Sequence, residues 1–280
     1  MIQRQQITPE LRQWLLEQLG AGHGQEQVLA AMISSGWDAA VARQALDELL
    51  RPDAQPVEDP VASRLPGPDL SGGQPLLQAG DREVKVLLSL QHPRVVVFGG
   101  LLSDEECEAM MALSAKRLAR SETVATHADG SEINAARTSD GMFFERGETE
   151  LIRKVEARIA KLLDWPVENG EGLQVLRYRP GAEYLPHYDY FDPNHASSAA
   201  ILKRGGQRVA TLVMYLNTPT AGGATVFPDI RLDVMPVKGN AVFFSYDRPQ
   251  PMTLTLHGGA PVREGEKWVA TKWLREGVFV

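Results

Sequence analysis

The second half of the chain contains a series of short segments that have the residue pattern of β-strands. Each is rich in β-branched or aromatic residues, or alternates apolar and polar positions, and Gly and Pro turns separate them. They cover residues 173–178, 208–216, 241–245, 252–257 and 267–274. Two helical patterns precede the series, one capped at Ser103 in a capping box with Glu106 and one over about 148–163. Helices followed by many short strands predict an α+β domain, built as an antiparallel barrel or jelly roll buttressed by helices.

Three regions follow one another along the chain. Residues 1–51 predict a three-helix module, because apolar residues recur at helical spacing in three short stretches. Residues 52–82 are rich in Pro, Gly and Asp, which is the composition of a linker, and residues 83–280 form the predicted main domain. The module has a Gly-Trp step before its last helix and resembles ubiquitin-associated modules, which implies a protein partner. A bundle that only packs on its neighbour is the alternative.

Charge and cysteine content exclude several classes of protein. The chain has 280 residues, a formal net charge of −7 and one cysteine, Cys107. The acidic balance argues against nucleic acid as the main partner, and a single cysteine excludes both an intrachain disulfide and a zinc site of several thiolates. The polar first residues lack the apolar core of a secretory signal, and no apolar run is long enough to span a membrane. We therefore expect a cytoplasmic protein that does not associate with membranes.

The motif HYD places His187 and Asp189 two positions apart, so that in a strand both side chains project from one face. Most such pairs are simply solvated, and a metal site needs a further ligand. His257 ends a β-patterned segment and is followed by glycines that leave its side chain uncovered. Two histidines and one carboxylate on a β scaffold can form the facial triad of non-haem Fe(II) oxygenases. His195, in a polar loop, is the competing ligand, and we expect it to face solvent or substrate.

Lys267 lies ten residues after His257 and directly before Trp268. Its alkyl chain can lie along apolar surface with the ammonium in water, which is the usual arrangement. If the side chain instead faces the interior, it is a buried cation that requires an anion. A dicarboxylate cosubstrate whose far carboxylate reaches Lys267 would supply one.

These residues and the motifs around them resemble the prolyl 4-hydroxylase branch of the 2-oxoglutarate- and Fe(II)-dependent dioxygenases. The similarity covers roughly residues 94 to 275 and includes ARTSDGMFF, LQVLRYRPGAEYLPHYDYF, RVATLVMYLN, GGATVFP and HGGAPVREGEKWVATKWL. The fold that the resemblance implies is the double-stranded β-helix, a distorted jelly roll. That fold agrees with the pattern of short strands.

The resemblance also implies roles for individual residues. His187, Asp189 and His257 would bind Fe(II), and Asp189 argues for hydroxylation because related halogenases lack this carboxylate. Lys267 would pair with the distal carboxylate of 2-oxoglutarate. The other residues implied at the site are Tyr178 and Thr211 as hydrogen-bond partners of that carboxylate, Trp273 in the lining of the same pocket, and Arg137 and Tyr190 at the substrate. Packing is the alternative role for Thr211 and Trp273, and a surface salt bridge is the alternative for Arg137.

The implied reaction is hydroxylation of a C–H bond, of a prolyl residue at the 4-position in a protein or peptide, with release of succinate and CO2. The implied cofactors are Fe(II), 2-oxoglutarate and O2, with ascorbate as a reductant. Tyr188, Tyr190 and Phe191 suit an aromatic surface for a proline ring, with a place in the core as the alternative. Segment 121–137 suits a loop that closes over a peptide. Two other functions stay open: a dioxygenase acting on a free amino acid or another small molecule, and a non-catalytic protein whose helical module recruits a partner. A nucleic-acid demethylase is disfavoured by the acidic balance.

Overall fold

The computed structural model of the protein describes residues 14, 15, 18, 24–50, 65–120, 123–124, 131–132, 138–193, 195 and 197–280. The chain divides into two compact units, Met1–Ser63 and Arg64–Val280. In the described ranges, no helix combines the length and the apolar composition needed to cross a bilayer.

The N-terminal unit contains the helices α1 (Gln25–Ser34) and α2 (Ala39–Leu50). These correspond to the predicted second and third helices. The small core of this unit consists of Leu15, Val28, Met32, Ala42, Ala45 and Leu46. The predicted first helix lies outside the described residues except at positions 14, 15 and 18, which are helical.

The described part of the C-terminal unit is built mainly from β-strands. In chain order these are β1 (Leu76–Ala79), β2 (Arg82–Leu90), β3 (Arg94–Gly99), β4 (Ala119–Arg120), β5 (Thr123–Val124), β6 (Ser131–Glu132), β7 (Asp140–Phe144), β8 (Leu173–Tyr178), β9 (Tyr184–His187), β10 (Arg208–Tyr215), β11 (Ala221–Gly222), β12 (Thr225–Phe227), β13 (Leu232–Val234), β14 (Ala241–Ser245), β15 (His257–Gly259), β16 (Val262–Glu264) and β17 (Lys267–Arg275). The helices are α3 (Asp104–Ala115), α4 (Glu150–Leu163) and α5 (Ser198–Leu202). Short 3-10 helices lie at Val167–Asn169, Pro228–Ile230 and Pro251–Thr253.

Two antiparallel sheets organise these strands. The major sheet has nine strands in the order β1-β2-β3-β14-β10-β17-β8-β7-β4, and the minor sheet has four in the order β13-β12-β15-β9. Two further pairs, β11 with β16 and β5 with β6, form small ribbons. Strands that are distant in sequence are therefore neighbours in space, as in a jelly roll.

The major sheet buries both of its faces because its central strands alternate between two cores. On β10, Leu212 and Met214 belong to the core that includes side chains of α3 and α4. Val213 and Tyr215 belong to the core that the major sheet shares with Phe227 of the minor sheet. Successive side chains of a strand point to opposite faces, so one sequence serves both layers. The helices thus pack against one face of the major sheet, and the other face packs against the minor sheet inside the jelly roll.

The capping box predicted at α3 is present and extends into a buried ion cluster. The backbone N–H of Glu106 donates to the Ser103 hydroxyl at 3.1 Å, and the Ser103 N–H donates to the Glu106 carboxylate at 2.9 Å. That carboxylate also accepts from Arg158 of α4 at 2.7 Å. Arg158 is 1% exposed and donates in addition to Asp81, in the β1–β2 turn. The cluster ties both helices to the start of the sheet.

Two predicted boundaries differ from the structure. The linker predicted over 52–82 extends too far, because residues 76–79 form β1 and Ala79 is buried in the core. The strand predicted over 252–257 is instead a 3-10 turn, Pro251–Thr253, followed by Leu254 in the left-handed region at φ 53°. The left-handed backbone at Leu254 does not fit an extended strand, and pairing begins only at His257.

Candidate active site

The two histidines of the predicted metal site lie opposite each other on neighbouring strands. β15 pairs with β9 in a register that makes His257 the partner of His187, and their ring centroids are 4.4 Å apart. Asp189 follows β9 directly and turns its carboxylate toward the same point. Its Oδ1 lies 3.6 Å from Nε2 of His187, and its Oδ2 lies 3.4 Å from Nε2 of His257. One candidate ligand atom from each residue lies within 4.8 Å of the other two, so the predicted triad is present.

Each imidazole of the triad is oriented by the backbone carbonyl two residues before it. Nδ1 of His187 lies 2.9 Å from the carbonyl oxygen of Leu185, and Nδ1 of His257 lies 3.0 Å from that of Thr255. A carbonyl oxygen only accepts, so Nδ1 carries the proton and Nε2 of the neutral ring carries the lone pair. Both lone pairs then face the carboxylate of Asp189. Three electron-pair donors that meet at one point fit a cation between them.

The protonation states of the triad suit a metal. Burial lowers the pKa of His187 and so favours the neutral imidazole. Burial would raise the pKa of Asp189, but attraction to His257 and His187 in their protonated forms outweighs it and holds that pKa well below its usual value. The carboxylate is therefore already ionised at a pH where the histidines lose their charge. A neutral imidazole and an ionised carboxylate are the forms that bind divalent metal ions.

A buried lysine lies in the wall of the same cavity. Lys267 begins β17 and is only 4% exposed. Among the residues that the structure describes, no carboxylate forms an ion pair with it. Its Nζ lies instead 5.5 Å and 5.9 Å from the ring centroids of Tyr178 and Tyr215. Burial lowers the pKa of Lys267 to about 7, which is the effect expected of a cation that has lost water without gaining an anion.

Alternate residues of β17 build one wall of this cavity. Lys267, Val269, Thr271 and Trp273 all line it, since side chains two positions apart share a face of the strand. Tyr178 of β8 is the register partner of Lys267 and lines the cavity beside it. The remaining lining residues are Leu176, Tyr184, Val213, Thr225, Gly258 and Gly259 with His187, Asp189 and His257. One cavity therefore connects the triad to the buried ammonium.

Comparison with known proteins places these features in a family. A model described as the 2OG-Fe(II) oxygenase superfamily matches residues 173–275. Prolyl 4-hydroxylase 5 of Arabidopsis thaliana is 40% identical over 221 residues, which span 71% of this chain and 74% of that protein. This chain belongs to the prolyl 4-hydroxylase family of 2OG-Fe(II) oxygenases.

Further relatives agree with this assignment. Prolyl 4-hydroxylase 1 of Arabidopsis thaliana is 42% identical over 202 residues, covering 66% of this chain and 69% of that protein. The crystal structure of a viral collagen prolyl hydroxylase from Paramecium bursaria Chlorella virus-1, in complex with 2OG, matches with a TM-score of 0.51 and 32% identity. That match covers 65% of this chain and 95% of the viral chain. The predicted α+β fold, the double-stranded β-helix or jelly roll, is confirmed.

The protein is therefore a dioxygenase that uses Fe(II), 2-oxoglutarate and O2. Its residues fit the first two of these. His187, Asp189 and His257 offer the two nitrogens and one oxygen of a facial triad, with their lone pairs converging. Lys267 offers a buried cation with no protein anion of its own in the described ranges, which suits one end of a dicarboxylate.

Thr211 is placed differently from the prediction. We expected its hydroxyl to bond the distal carboxylate of 2-oxoglutarate. The Thr211 hydroxyl is fully buried and donates to Oδ2 of Asp189 at 2.7 Å, so its single proton is already used. Tyr178 and Trp273, by contrast, do line the cavity. The hydrogen bond from Tyr178 to the distal carboxylate stays a prediction.

The other predicted positions lie away from the cavity or outside the described residues. Tyr190 is half-buried against the core that the major sheet shares with Phe227 of the minor sheet, and it stacks on Tyr188 with ring centroids 4.8 Å apart. His195 is exposed, and its Nδ1 lies 2.8 Å from the hydroxyl of Ser197, so this competing ligand is not part of the triad. Arg137 and most of segment 121–137 fall outside the described residues.

Several site residues were missed by the sequence argument. Val269 and Thr271 could have been found from the two-residue period that starts at Lys267. We expect the glycines after His257 to leave its side chain uncovered, but the structure gives another reason for a glycine at position 258. A Cβ there would lie 2.8 Å from the carbonyl oxygen of Tyr184. Only glycine lets β15 approach β9 so closely. Tyr246, whose hydroxyl lies 3.1 Å from that of Thr211, carried no sequence signal.

Proposed function

We propose that this enzyme hydroxylates a prolyl residue, at the 4-position, in a protein or peptide. The proposal depends on one cavity that the triad and Lys267 line together. The lone pairs of the triad converge there, and among the described residues no carboxylate pairs with the buried ammonium of Lys267. Prolyl 4-hydroxylases at about 40% identity support the choice of substrate. The alternative, a free amino acid or other small molecule, has no comparable support.

Each residue of the site has a distinct task in this proposal. His187, Asp189 and His257 would hold Fe(II) on one face and leave its other positions open for cosubstrate and oxygen. Lys267 would pair with the far carboxylate of 2-oxoglutarate and so orient the molecule along the cavity. When bound, the metal and cosubstrate supply the oxidising chemistry, with succinate and CO2 as co-products.

The chain itself supplies orientation and shielding. Leu176, Val213 and Val269 give the cavity apolar walls that exclude water around the cosubstrate. Low polarity there strengthens the pairing of Lys267 with a carboxylate and makes each charge costly when unpaired. Tyr184 stacks on His187 with ring centroids 3.7 Å apart and limits the movement of that ligand.

Peptide hydroxylation tests the proposal directly. The protein is incubated with Fe(II), 2-oxoglutarate and ascorbate together with a proline-rich peptide, the same peptide with alanine in place of proline, or free proline. We expect succinate release and a mass gain of one oxygen only with the proline peptide, and 4-hydroxyproline after acid hydrolysis. Turnover of free proline with an inert peptide would instead support the small-molecule alternative.

For the N-terminal unit we propose that its helices recruit a protein partner. Ile33 of α1 is 43% exposed, and Trp37 is only partly buried, so apolar surface is available there. If the unit recruits the substrate protein, its deletion raises the KM for that protein and leaves the KM for a short peptide unchanged. Equal KM values for both substrates would contradict recruitment of the substrate.

We propose a cytoplasmic location, because the sequence contains one cysteine and therefore no intrachain disulfide. The only thiol, Cys107, is fully buried, and burial raises its pKa to about 11, which makes it unreactive. Fractionation of cells that make the protein tests this location. Recovery in a secreted or membrane fraction would contradict it.

A further inference from the structure

Asp189 does not stand alone in the site but ends a chain of hydroxyl groups. Its Oδ2 accepts a hydrogen bond from the Thr211 hydroxyl at 2.7 Å, and the Thr211 oxygen lies 3.1 Å from the hydroxyl of Tyr246. Thr211 is 0% exposed and Tyr246 is 2% exposed, so water does not compete for these bonds. The backbone carbonyl of Asp189 is held separately by Arg208, at 3.3 Å.

Chemistry fixes the direction of the hydrogen bonds in this chain. A carboxylate that binds a metal is deprotonated and can only accept. The one proton of the Thr211 hydroxyl must therefore point at Asp189. The Thr211 oxygen is then free to accept, so Tyr246 is the donor of the second bond. The order is Tyr246 to Thr211 to Asp189.

The location of Thr211 makes it a rigid support. It lies on β10, between β14 and β17 in the middle of the major sheet. A threonine side chain has few accessible χ1 rotamers, and a central strand does not move easily. Asp189 comes from the other side, in the segment that follows the edge strand β9 of the minor sheet. The Thr211–Asp189 bond therefore fixes a carboxylate from an edge segment to the sheet centre.

We propose that Thr211 is the positioning residue for the metal ligand Asp189, and that Tyr246 orients Thr211. The bond to Oδ2 would hold the carboxylate in the orientation that faces Nε2 of both histidines, where the metal would bind. This inference rests on the proposed function, because it takes the triad as the metal site. It replaces the role that the sequence suggested for Thr211, a contact with the distal carboxylate of 2-oxoglutarate.

Substitutions at position 211 separate these two roles. Thr211→Val keeps the shape of the side chain and removes the hydroxyl, whereas Thr211→Ser keeps the hydroxyl. We expect Thr211→Val to weaken Co(II) binding by about 10–100-fold, as is usual for the loss of a group that orients a ligand, and to change the visible d–d spectrum of bound Co(II). We expect Thr211→Ser to restore the affinity and the spectrum. Tyr246→Phe should weaken binding less, because Thr211 keeps its own proton.

Matched controls exclude a general loss of structure. Ser114→Ala removes another fully buried hydroxyl, one whose bond goes to the Met110 carbonyl within α3. This variant should bind Co(II) like the parent protein, and far-UV circular dichroism with thermal unfolding should show all variants folded. If Thr211→Val fails to fold, the Ser and Tyr246→Phe variants still give the comparison, with Tyr246→Phe expected to shift the Co(II) spectrum and Thr211→Ser expected not to.

Three outcomes decide the inference. Weaker Co(II) binding in Thr211→Val with 2-oxoglutarate affinity of the metal-loaded protein nearly unchanged supports it. Unchanged Co(II) affinity and spectrum with weaker 2-oxoglutarate binding overturns it in favour of a cosubstrate contact. If the unaltered protein binds no Co(II), or if His257→Ala binds it equally well, the proposed function itself fails, and this result is distinct from the other two.

Discussion

At the scale of single residues, Lys267 has the most easily isolated role. Its ammonium is buried, lies near two tyrosine rings and lines the cavity of the triad without being one of its members. Its charge can therefore matter for the cosubstrate without mattering for the metal.

We predict that Lys267→Ala raises the Kd for 2-oxoglutarate sharply and leaves metal affinity nearly unchanged. Removing one partner of a buried ion pair costs about 3–5 kcal/mol, which corresponds to roughly 10²- to 4 × 10³-fold in Kd. Isothermal titration with the Co(II)-loaded protein measures both constants. Lys203→Ala, at an exposed position, is the matched control and should behave like the parent protein. Parallel loss of metal and cosubstrate binding in Lys267→Ala would contradict the assigned role.

A second residue-scale prediction concerns pH. Burial lowers the pKa of Lys267 from 10.5 to about 7, so near pH 8 the ligand-free protein holds this side chain mostly neutral. A carboxylate favours the charged form and draws the pKa back up, so binding takes up a proton. Affinity should then be fully present below about pH 7 and fall by up to about tenfold per pH unit above it. Titration calorimetry in two buffers of different ionisation enthalpy detects the uptake, which should vanish in Lys267→Ala. No proton uptake at pH 8 in the parent protein would contradict this assignment.

The same shift has the opposite consequence for the ligand-free fold. Between about pH 7 and 10 the unfolded chain keeps the Lys267 proton that the folded chain has lost. The contribution of Lys267 to the free energy of unfolding therefore rises with pH across this window, because the unfolded state binds more protons than the folded state. Comparing the parent protein with Lys267→Ala by chemical unfolding at pH 7 and pH 9 isolates the contribution. A parent protein that loses stability relative to the variant over this range would contradict the expected sign.

At the scale of elements, the site depends on the close approach of β9 and β15. The approach is permitted by Gly258, since a Cβ there would lie 2.8 Å from the carbonyl oxygen of Tyr184 and 3.1 Å from the nitrogen of Pro186. These are backbone atoms of a paired strand and cannot simply swing away. The two histidines sit on this pair of strands, so its spacing sets their separation.

We predict that Gly258→Ala separates the strands and weakens metal binding. Overpacking of this kind costs about 1–3 kcal/mol of stability, and the displaced His257 should lose affinity for Co(II) in addition. Differential scanning calorimetry and Co(II) titration measure the two effects. Gly72→Ala is the control, because its nearest contact would be an ordinary 3.7 Å to the Gln74 side chain. Parent-like melting and Co(II) affinity in Gly258→Ala would show that the spacing tolerates a methyl group.

The elements also show where sequence reasoning succeeds. The capping box of α3 and the strands β8, β10 and β17 were predicted well, because caps and alternation are local patterns. β1 was missed because its Pro- and Gly-rich surroundings have the composition of a linker. The partner of Thr211 could not be predicted, because Asp189 reaches it only through the packing of the two sheets.

At the scale of the whole molecule, the two units have separate cores. All members of both large cores of the C-terminal unit lie at position 65 or beyond, and the described core of the N-terminal unit ends at Leu46. In the ranges that the structure describes, the residues of each core all come from a single unit. The site residues all belong to the C-terminal unit.

We therefore predict that residues 64–280 fold and remain active without residues 1–63. The shortened protein should unfold cooperatively, with a Tm close to that of the corresponding transition of the full chain, and should release succinate at a similar rate with a short proline peptide. Calorimetry and a succinate assay on both forms provide the comparison. An insoluble or inactive 64–280 fragment would show that the N-terminal residues complete the fold.

Anaerobic addition of Fe(II) and then 2-oxoglutarate tests whether one cavity holds both. The account predicts a weak visible charge-transfer absorption that saturates at one equivalent of each, that is absent in His257→Ala, and that requires far more 2-oxoglutarate in Lys267→Ala. If the folded parent protein gives no such absorption at saturating Fe(II) and 2-oxoglutarate, or if His257→Ala gives the same absorption as the parent, the triad is not the metal site.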